Sequence, residues 1–188
     1  MANKMTVALT KNQYEEIINT MLSGGAGFRP NSRIATALVL QANLGLRIED
    51  TLSLHLKDII RDGSRYRLDI TEEKTDKKRT FTVPFPIYQY IENYCLKNKI
   101  AQDALIFPFS ERNVQKYLKK VVDYIGYENI GTHSFRKFYA TDIYNNNQHD
   151  IVLVQNLLQH SSASTTQRYI GITPEKIENA IQGHIHLI

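Results

Sequence analysis

A single cysteine, Cys95, in 188 residues excludes an internal disulfide, so a reduced, cytoplasmic setting is expected. No apolar run approaches the roughly 18 residues that a membrane-spanning helix needs. The opening "MANKMTVALTKNQ" lacks the apolar core of a secretory leader, and none is expected. There is no internal repeat, low-complexity tract or long linker. The nucleotide-loop pattern GxxxxGK[ST] is missing, and "SGGAG" at 23–27 has neither the flanking strand nor the lysine of such a loop. "HSS" at 160–162 lacks the elbow of a serine hydrolase. No credible metal site is present either: Cys95 stands alone, and "HIH" at 184–186 lies in the terminal tail. What remains is an ordinary globular composition, 42% hydrophobic and 22% charged, long enough to bury a core.

The charge balance is mildly basic, +4 with a pI of about 9.1. Its distribution says more than its size. "RDGSRYRLDITEEKTDKKR" gathers cations in one stretch, and "YLKK" adds two more. Clustered cations permit contact with a phosphate backbone, although a solvated charged face is the simpler reading of composition alone.

Periodicity predicts a mainly α chain with a small antiparallel β-sheet inserted near its middle. Thr10 and Gln13 have capping-box spacing before a first helix. "SRIATALVLQANLG" carries Ile34, Leu38, Val39 and Ala42 at helical spacing, with Gly45 as the stop. "LRIEDTLSLHL" reads as a further helix. "YRLDI" and "RTFTVP" alternate as two strands joined by "TEEKTDKK", and "KDII" supplies a third. Helices follow from Pro86, from a Ser110 cap to Gly126, over "THSFRKFYATDIYNNN" with left-handed asparagines at its end, from an Asp150 cap, and from a Thr173 cap with Pro174.

Six residues stand out only as a set. Arg47 sits among Leu44, Leu46 and Ile48, where a cation needs a partner, and Asp50 is three residues on. Lys74 lies in the hairpin with Lys77, Lys78 and Arg79. His133 and Arg136 have the i, i+3 spacing of one helix face. His160 follows an apolar helix, and Tyr169 comes nine residues later. Taken singly, each has a bland alternative: a surface arginine, a solvated turn, a capping histidine, a packed tyrosine.

In this order and spacing they resemble the catalytic domain of the tyrosine recombinases, the phage-integrase family. "NLGLRIEDTLSLHLKDI" is similar to the family's first box and "GTHSFRKFYAT" to its His-x-x-Arg box. "VQNLLQHSSASTTQRYIGIT" is similar to the final box, and the resemblance runs from about Ala37 to about Pro174. It implies catalytic roles for Arg47, Lys74, His133, Arg136, His160 and Tyr169, with Tyr169 the nucleophile. Phosphate binding falls to Arg47, Arg136 and His160, with Lys77, Lys78 and Arg79 beside them. The implied reaction is transesterification of a DNA phosphodiester, with no metal or other cofactor.

The residue types suit that task. Without a metal, fixed cations must stabilise the extra charge on the non-bridging oxygens, and the arginine fork matches phosphate. Losing either arginine should raise the barrier by about 3 kcal/mol or more. A tyrosine hydroxyl with an ordinary pKa of about 10 is ionised in roughly one molecule per thousand at pH 7, so a base must take its proton during attack. His133 is the expected base, Lys74 the expected acid for the leaving 5′-oxygen, and His160 the expected hydrogen-bond donor to phosphate.

The resemblance further implies double-stranded DNA as partner, a monomer alone and a tetramer on DNA, and no membrane. The chain is expected to be a single catalytic domain, 1–188, without the family's N-terminal DNA-clamping domain. Residues 175–188 form a tail, with Ile177, Ala180 and Ile181 on one face, expected to dock on a neighbouring copy. Gln159 stands where relatives usually have glycine. It is the feature behind the alternative, a degenerate member that grips DNA without cutting it. A type IB topoisomerase would share the chemistry, but the short chain and the His-x-x-Arg box favour a recombinase.

Overall fold

In the computed structural model, residues 6–71, 78–158, 160 and 162–171 are described, with backbone alone at 71, 78, 79, 81 and 163. The capping box at Thr10 is formed: the Gln13 amide donates to Thr10 Oγ1 at 3.2 Å, and the Thr10 amide donates to Gln13 Oε1 at 2.9 Å. It starts α1, Lys11–Ser23, and Asn31 caps α2, Ser32–Leu44. Almost every turn of α2 is buried, with Leu38, Leu40 and Ala37 fully enclosed. It is therefore the central rod of the fold rather than an amphipathic surface helix.

The helix expected over 46–56 is shorter than its pattern suggests. It runs as α3, Ile48–Leu52, and a 3-10 turn follows at Leu56–Asp58. Between them the chain extends: His55 bridges Leu105, and the Leu54 carbonyl accepts from the Ile106 amide at 2.9 Å. Leu54 and Leu56 are both buried, in keeping with the two-residue period of an extended segment.

Strands β1, Ile59–Asp62, β2, Arg65–Thr71, and β3, Lys78–Val83, form the expected antiparallel meander in the order β1-β2-β3. Leu68 faces the core, paired with Ile59 on one side and Phe81 on the other. The sheet docks on α4, Phe85–Lys97, through Tyr66, which stacks on Tyr88 with ring centroids 3.8 Å apart. Helix α5, Glu111–Ile125, ends at left-handed Gly126, and its stripe Val114, Leu118 and Val121 is buried.

The C-terminal side carries α6, Thr132–Asn146, α7, Ile151–Leu158, and α8, Ala163–Tyr169. The left-handed positions after α6 fall on Gln148 (φ 54°) and His149 (φ 61°), not on the asparagines. Asp150 does cap α7, accepting from the Leu153 amide at 2.9 Å. The helix expected from Thr173 lies outside the described residues. No described helix is long and apolar enough to cross a membrane.

Two apolar clusters result. The large one spans α1 to α5, the sheet and Phe135 of α6. The small one holds Ala140, Val154, Leu158 and Ile170, with Tyr139, Ile143, Tyr144, Ile151 and Tyr169 packed around them.

Candidate active site

The site begins where α2 stops. Gly45 takes the left-handed conformation, φ 62°. A Cβ there would lie 2.5 Å from ring carbons of Tyr139. Both the backbone and the contact demand glycine. This turn brings the Gly45 carbonyl to α6, where Arg136 Nη1 donates to it. Arg136 Nη2 donates to the Leu158 carbonyl at 2.9 Å, at the end of α7. Arg136 is 2% exposed, among the largest fully buried side chains described. A buried guanidinium is tolerated only when hydrogen-bonded. Two carbonyls on two different nitrogens of a planar fork also fix its orientation.

Arg47 follows two residues after Gly45 and is the N-cap of α3. Its Nη1 lies 3.9 Å from Asp50 Oδ2, with side-chain exposures of 21% and 2%. The partner expected from the i, i+3 spacing is therefore in place. Beneath both sits Gln41, 1% exposed. In the amide orientation that satisfies it, Gln41 donates to the Thr132 carbonyl at 3.1 Å and accepts from the Ile48 amide at 3.2 Å. One buried amide thus ties the start of α3, beside Arg47, to the start of α6.

His133 and Arg136 share α6 as expected, but their environments differ: His133 is exposed on the first turn while Arg136 is buried one turn on. Phe135 and Phe138 pack against α1. The Tyr14 ring meets Phe135 edge-on at 6.3 Å and stacks on Phe138 at 5.0 Å.

His160 is held from both sides. Its amide donates to the Gln155 carbonyl at 3.1 Å, and Gln155 Nε2 donates to its carbonyl at 3.2 Å. Its Nδ1 lies 3.0 Å from the Oγ1 of fully buried Thr166. The imidazole meets the Tyr169 ring edge-on, centroids 4.7 Å apart at 71°. Tyr169 ends α8, half-buried, and Lys137 Nζ lies 5.6 Å from its ring centroid.

The offset of Lys137 from Arg136 on the helix suggests a solvated or backbone-contacting cation. Lys137 is half-buried and donates to the Thr6 carbonyl. Burial lowers its pKa below the usual lysine value, and the neighbouring Arg168 charge adds to the effect.

Arg47, His133, Arg136, His160 and Tyr169 thus come from the start of α3, from α6, from α8 and from the loop between α7 and α8. Lys74 and Lys77 lie outside the described residues, as do Gln159 and the tail 175–188. Lys78 and Arg79 are placed by backbone, opposite Thr71 and Ile70 on β2. Gln41, Lys137 and Thr166 were not singled out by motif. Gln41 carries a sequence signal, a lone polar residue on a buried helix. Thr166 carries none, because its bond to His160 depends on where α8 folds back.

The family model described as phage integrase family matches residues 8–176. The chain is 34% identical over 149 residues to the probable integrase/recombinase YoeC of Bacillus subtilis, covering 76% of this chain and 79% of that protein. It is 28% identical over 185 residues to tyrosine recombinase XerA of Pyrococcus furiosus, covering 93% of this chain and 60% of that one. Against XerH of Campylobacter jejuni it spans 52% of the relative's length. The fold matches the crystal structure of a XerH recombinase bound to palindromic difH substrate, with TM-score 0.71 at 22% identity. That alignment covers 95% of this chain and 53% of the XerH chain. It also matches the catalytic domain of bacteriophage HP1 integrase, with TM-score 0.66 at 16% identity and 95% of both chains covered. With a matching family model over most of its length, the chain belongs to the phage integrase family.

Proposed function

We propose that this chain catalyses DNA strand cleavage and rejoining as the catalytic domain of a tyrosine-type site-specific recombinase. The observation that carries it is Arg136. One buried guanidinium links the Gly45 turn that presents Arg47 to the end of α7 that presents His160 and, through it, Tyr169. Residues more than a hundred positions apart converge on one fork.

In the proposed reaction the Tyr169 hydroxyl oxygen attacks a backbone phosphorus. The bond from phosphorus to the 5′-oxygen breaks, and a 3′-phosphotyrosine ester forms. His133 accepts the tyrosine proton, and Lys74 gives a proton to the leaving 5′-oxygen. Arg47, Arg136 and His160 hold the non-bridging oxygens as charge develops on them. A 5′-hydroxyl from a second strand then attacks the phosphotyrosine, restoring one phosphodiester and the free tyrosine. One ester replaces another at each step, so the strand is resealed without an outside energy source. Lys77, Lys78 and Arg79 serve as backbone-phosphate contacts in the hairpin.

The partner in this scheme is double-stranded DNA in the cytoplasm. The chain is a monomer alone and a tetramer on two duplexes, with residues 175–188 docking on the adjacent copy. Binding through phosphate contacts should make its DNA affinity strongly salt-dependent.

The test uses a pool of nicked duplexes of random sequence, in which cleavage near the nick releases a short strand and traps the intermediate. A covalent protein–DNA adduct is expected on a denaturing gel, and it disappears in Tyr169→Phe. An adduct that persists in that variant overturns the nucleophile assignment. Retained DNA with no adduct from the unmodified chain overturns catalysis in favour of a binding module.

A further inference from the structure

Lys137 is a titratable side chain beside the site that the reaction scheme leaves unused. It projects from α6 one residue after Arg136, and three features surround its ammonium. The Thr6 carbonyl accepts a hydrogen bond from it. The Tyr169 ring centroid is 5.6 Å away. Arg168, the residue before Tyr169, is close enough to act on its charge.

The carbonyl that holds Lys137 belongs to a segment that is itself fixed. The Val7 amide donates to the Asn129 carbonyl at 3.0 Å, and the Thr6 methyl lies 3.1 Å from where a Cβ on Gly131 would stand. The stretch before α1 is thereby pinned to the loop before α6, so its carbonyl can aim a long, flexible side chain. A lysine held in that way loses the rotamer freedom that makes surface lysines poor organisers. A partly desolvated cation near an aromatic ring is attracted by the ring's quadrupole, more strongly than at an exposed site.

We infer that Lys137 is a positioning residue for Tyr169: the Thr6 carbonyl aims its ammonium at the tyrosine ring, and that contact orients the hydroxyl for attack. The inference rests on Tyr169 being the nucleophile. Lys137 itself touches no reacting atom in this scheme. Its effect is on where the ring sits, and reaction rates are sensitive to misplacements of about 1 Å. A consequence is that the segment 6–10, at the far end of the sequence from Tyr169, contributes to nucleophile placement.

The test has a DNA-free arm and a DNA arm, both on the full chain. In the first, tyrosine ring carbons are labelled for NMR, and the Tyr169 signal is assigned by its loss in Tyr169→Phe. Lys137→Met shifts that signal while the other tyrosines, Tyr14 and Tyr117 among them, hold their positions and report intact folding. Val7→Pro removes the amide that anchors the Thr6 segment and leaves Lys137 in place. It moves the Tyr169 signal in the same direction by a smaller amount.

In the second arm, a nicked duplex recovered by covalent capture from the random pool is used. Lys137→Met slows single-turnover adduct formation about tenfold or more. The slope of log affinity against log salt stays unchanged, and Lys137→Arg, which restores a cation at the ring, recovers most of the rate. A salt slope reduced by about one would make Lys137 a phosphate contact and overturn the positioning role. An unmoved Tyr169 signal in Lys137→Met overturns it as well. If the unmodified chain forms no adduct, the recombinase reading fails while the NMR arm still decides the contact.

Discussion

The two apolar clusters support different halves of the proposed chemistry, and they differ greatly in mass. Arg47 and Gln41 stand on the large cluster, where α2 is buried along its length and Leu46 and Ile48 flank the arginine in the core. His160 and Tyr169 stand on the small one, built from α7, α8 and the second half of α6 around Ala140, Val154, Leu158 and Ile170. Less buried apolar surface means a lower free energy of local opening. The Arg47 side of the proposed site is thus the rigid floor and the His160–Tyr169 side the more easily displaced lid. Arg136 is the strut between them, bonded to Gly45 on the floor and to Leu158 on the lid. The proposed reaction suits such an asymmetry: an Arg47 cradle that stays preorganised and a Tyr169 that moves with the strand it would carry.

Breaking the strut should have the largest effect. Arg136→Ala leaves two buried carbonyls without their donor as well as a cavity, which costs about 4 kcal/mol or more. Urea unfolding should show that loss, and covalent adduct should be absent. Tyr169→Phe should also abolish the adduct, yet leave stability within about 0.5 kcal/mol. The pair separates a residue that builds the site from one that reacts in it. If Arg136→Ala unfolds at the same urea concentration as the unmodified chain, the strut is not structural.

The next largest effect falls on the lid alone. Leu158→Ala removes a fully buried side chain, with a local cost of about 2–3 kcal/mol. Hydrogen exchange should then quicken in α7 and α8 while α2 and α5 keep their protection. Uniform quickening throughout the chain would show that the two clusters unfold as one and would remove the distinction between floor and lid.

Much of this was legible in the sequence, and the exceptions share a cause. Thr10 with Gln13, Gly45, Gly126 and Asp150 are local signals, and each marks the boundary it predicts. The second and third strands follow from their alternation, and the Arg47–Asp50 pair follows from helical spacing. The misses are tertiary. The helix expected over 46–56 ends early because the 54–56 stretch pairs with Leu105 and Ile106, some fifty residues on. Equal spacing on one helix face did not reveal that His133 is exposed while Arg136 is buried, since depth depends on what α7 covers. The surroundings of Lys137 are tertiary too, since Thr6 and Tyr169, from opposite ends of the chain, close around it.

The smallest predicted effect concerns that same lysine. Burial and the Arg168 charge lower its pKa below the ordinary value of 10.5. Between the lowered value and the ordinary one, the unfolded chain binds more of this proton than the folded chain, so stability from this group rises with pH across that window. Below the window both states are protonated and the desolvation cost is constant. Lys137→Met has no such proton to lose. The unfolding free energy of the unmodified chain minus that of Lys137→Met should therefore rise with pH in the alkaline range, while other titrating groups cancel in the comparison. A difference that stays flat over that range would mean that the ammonium is as well solvated in the fold as in the unfolded chain. The contact between the start of the sequence and the Tyr169 lid would then be a surface one.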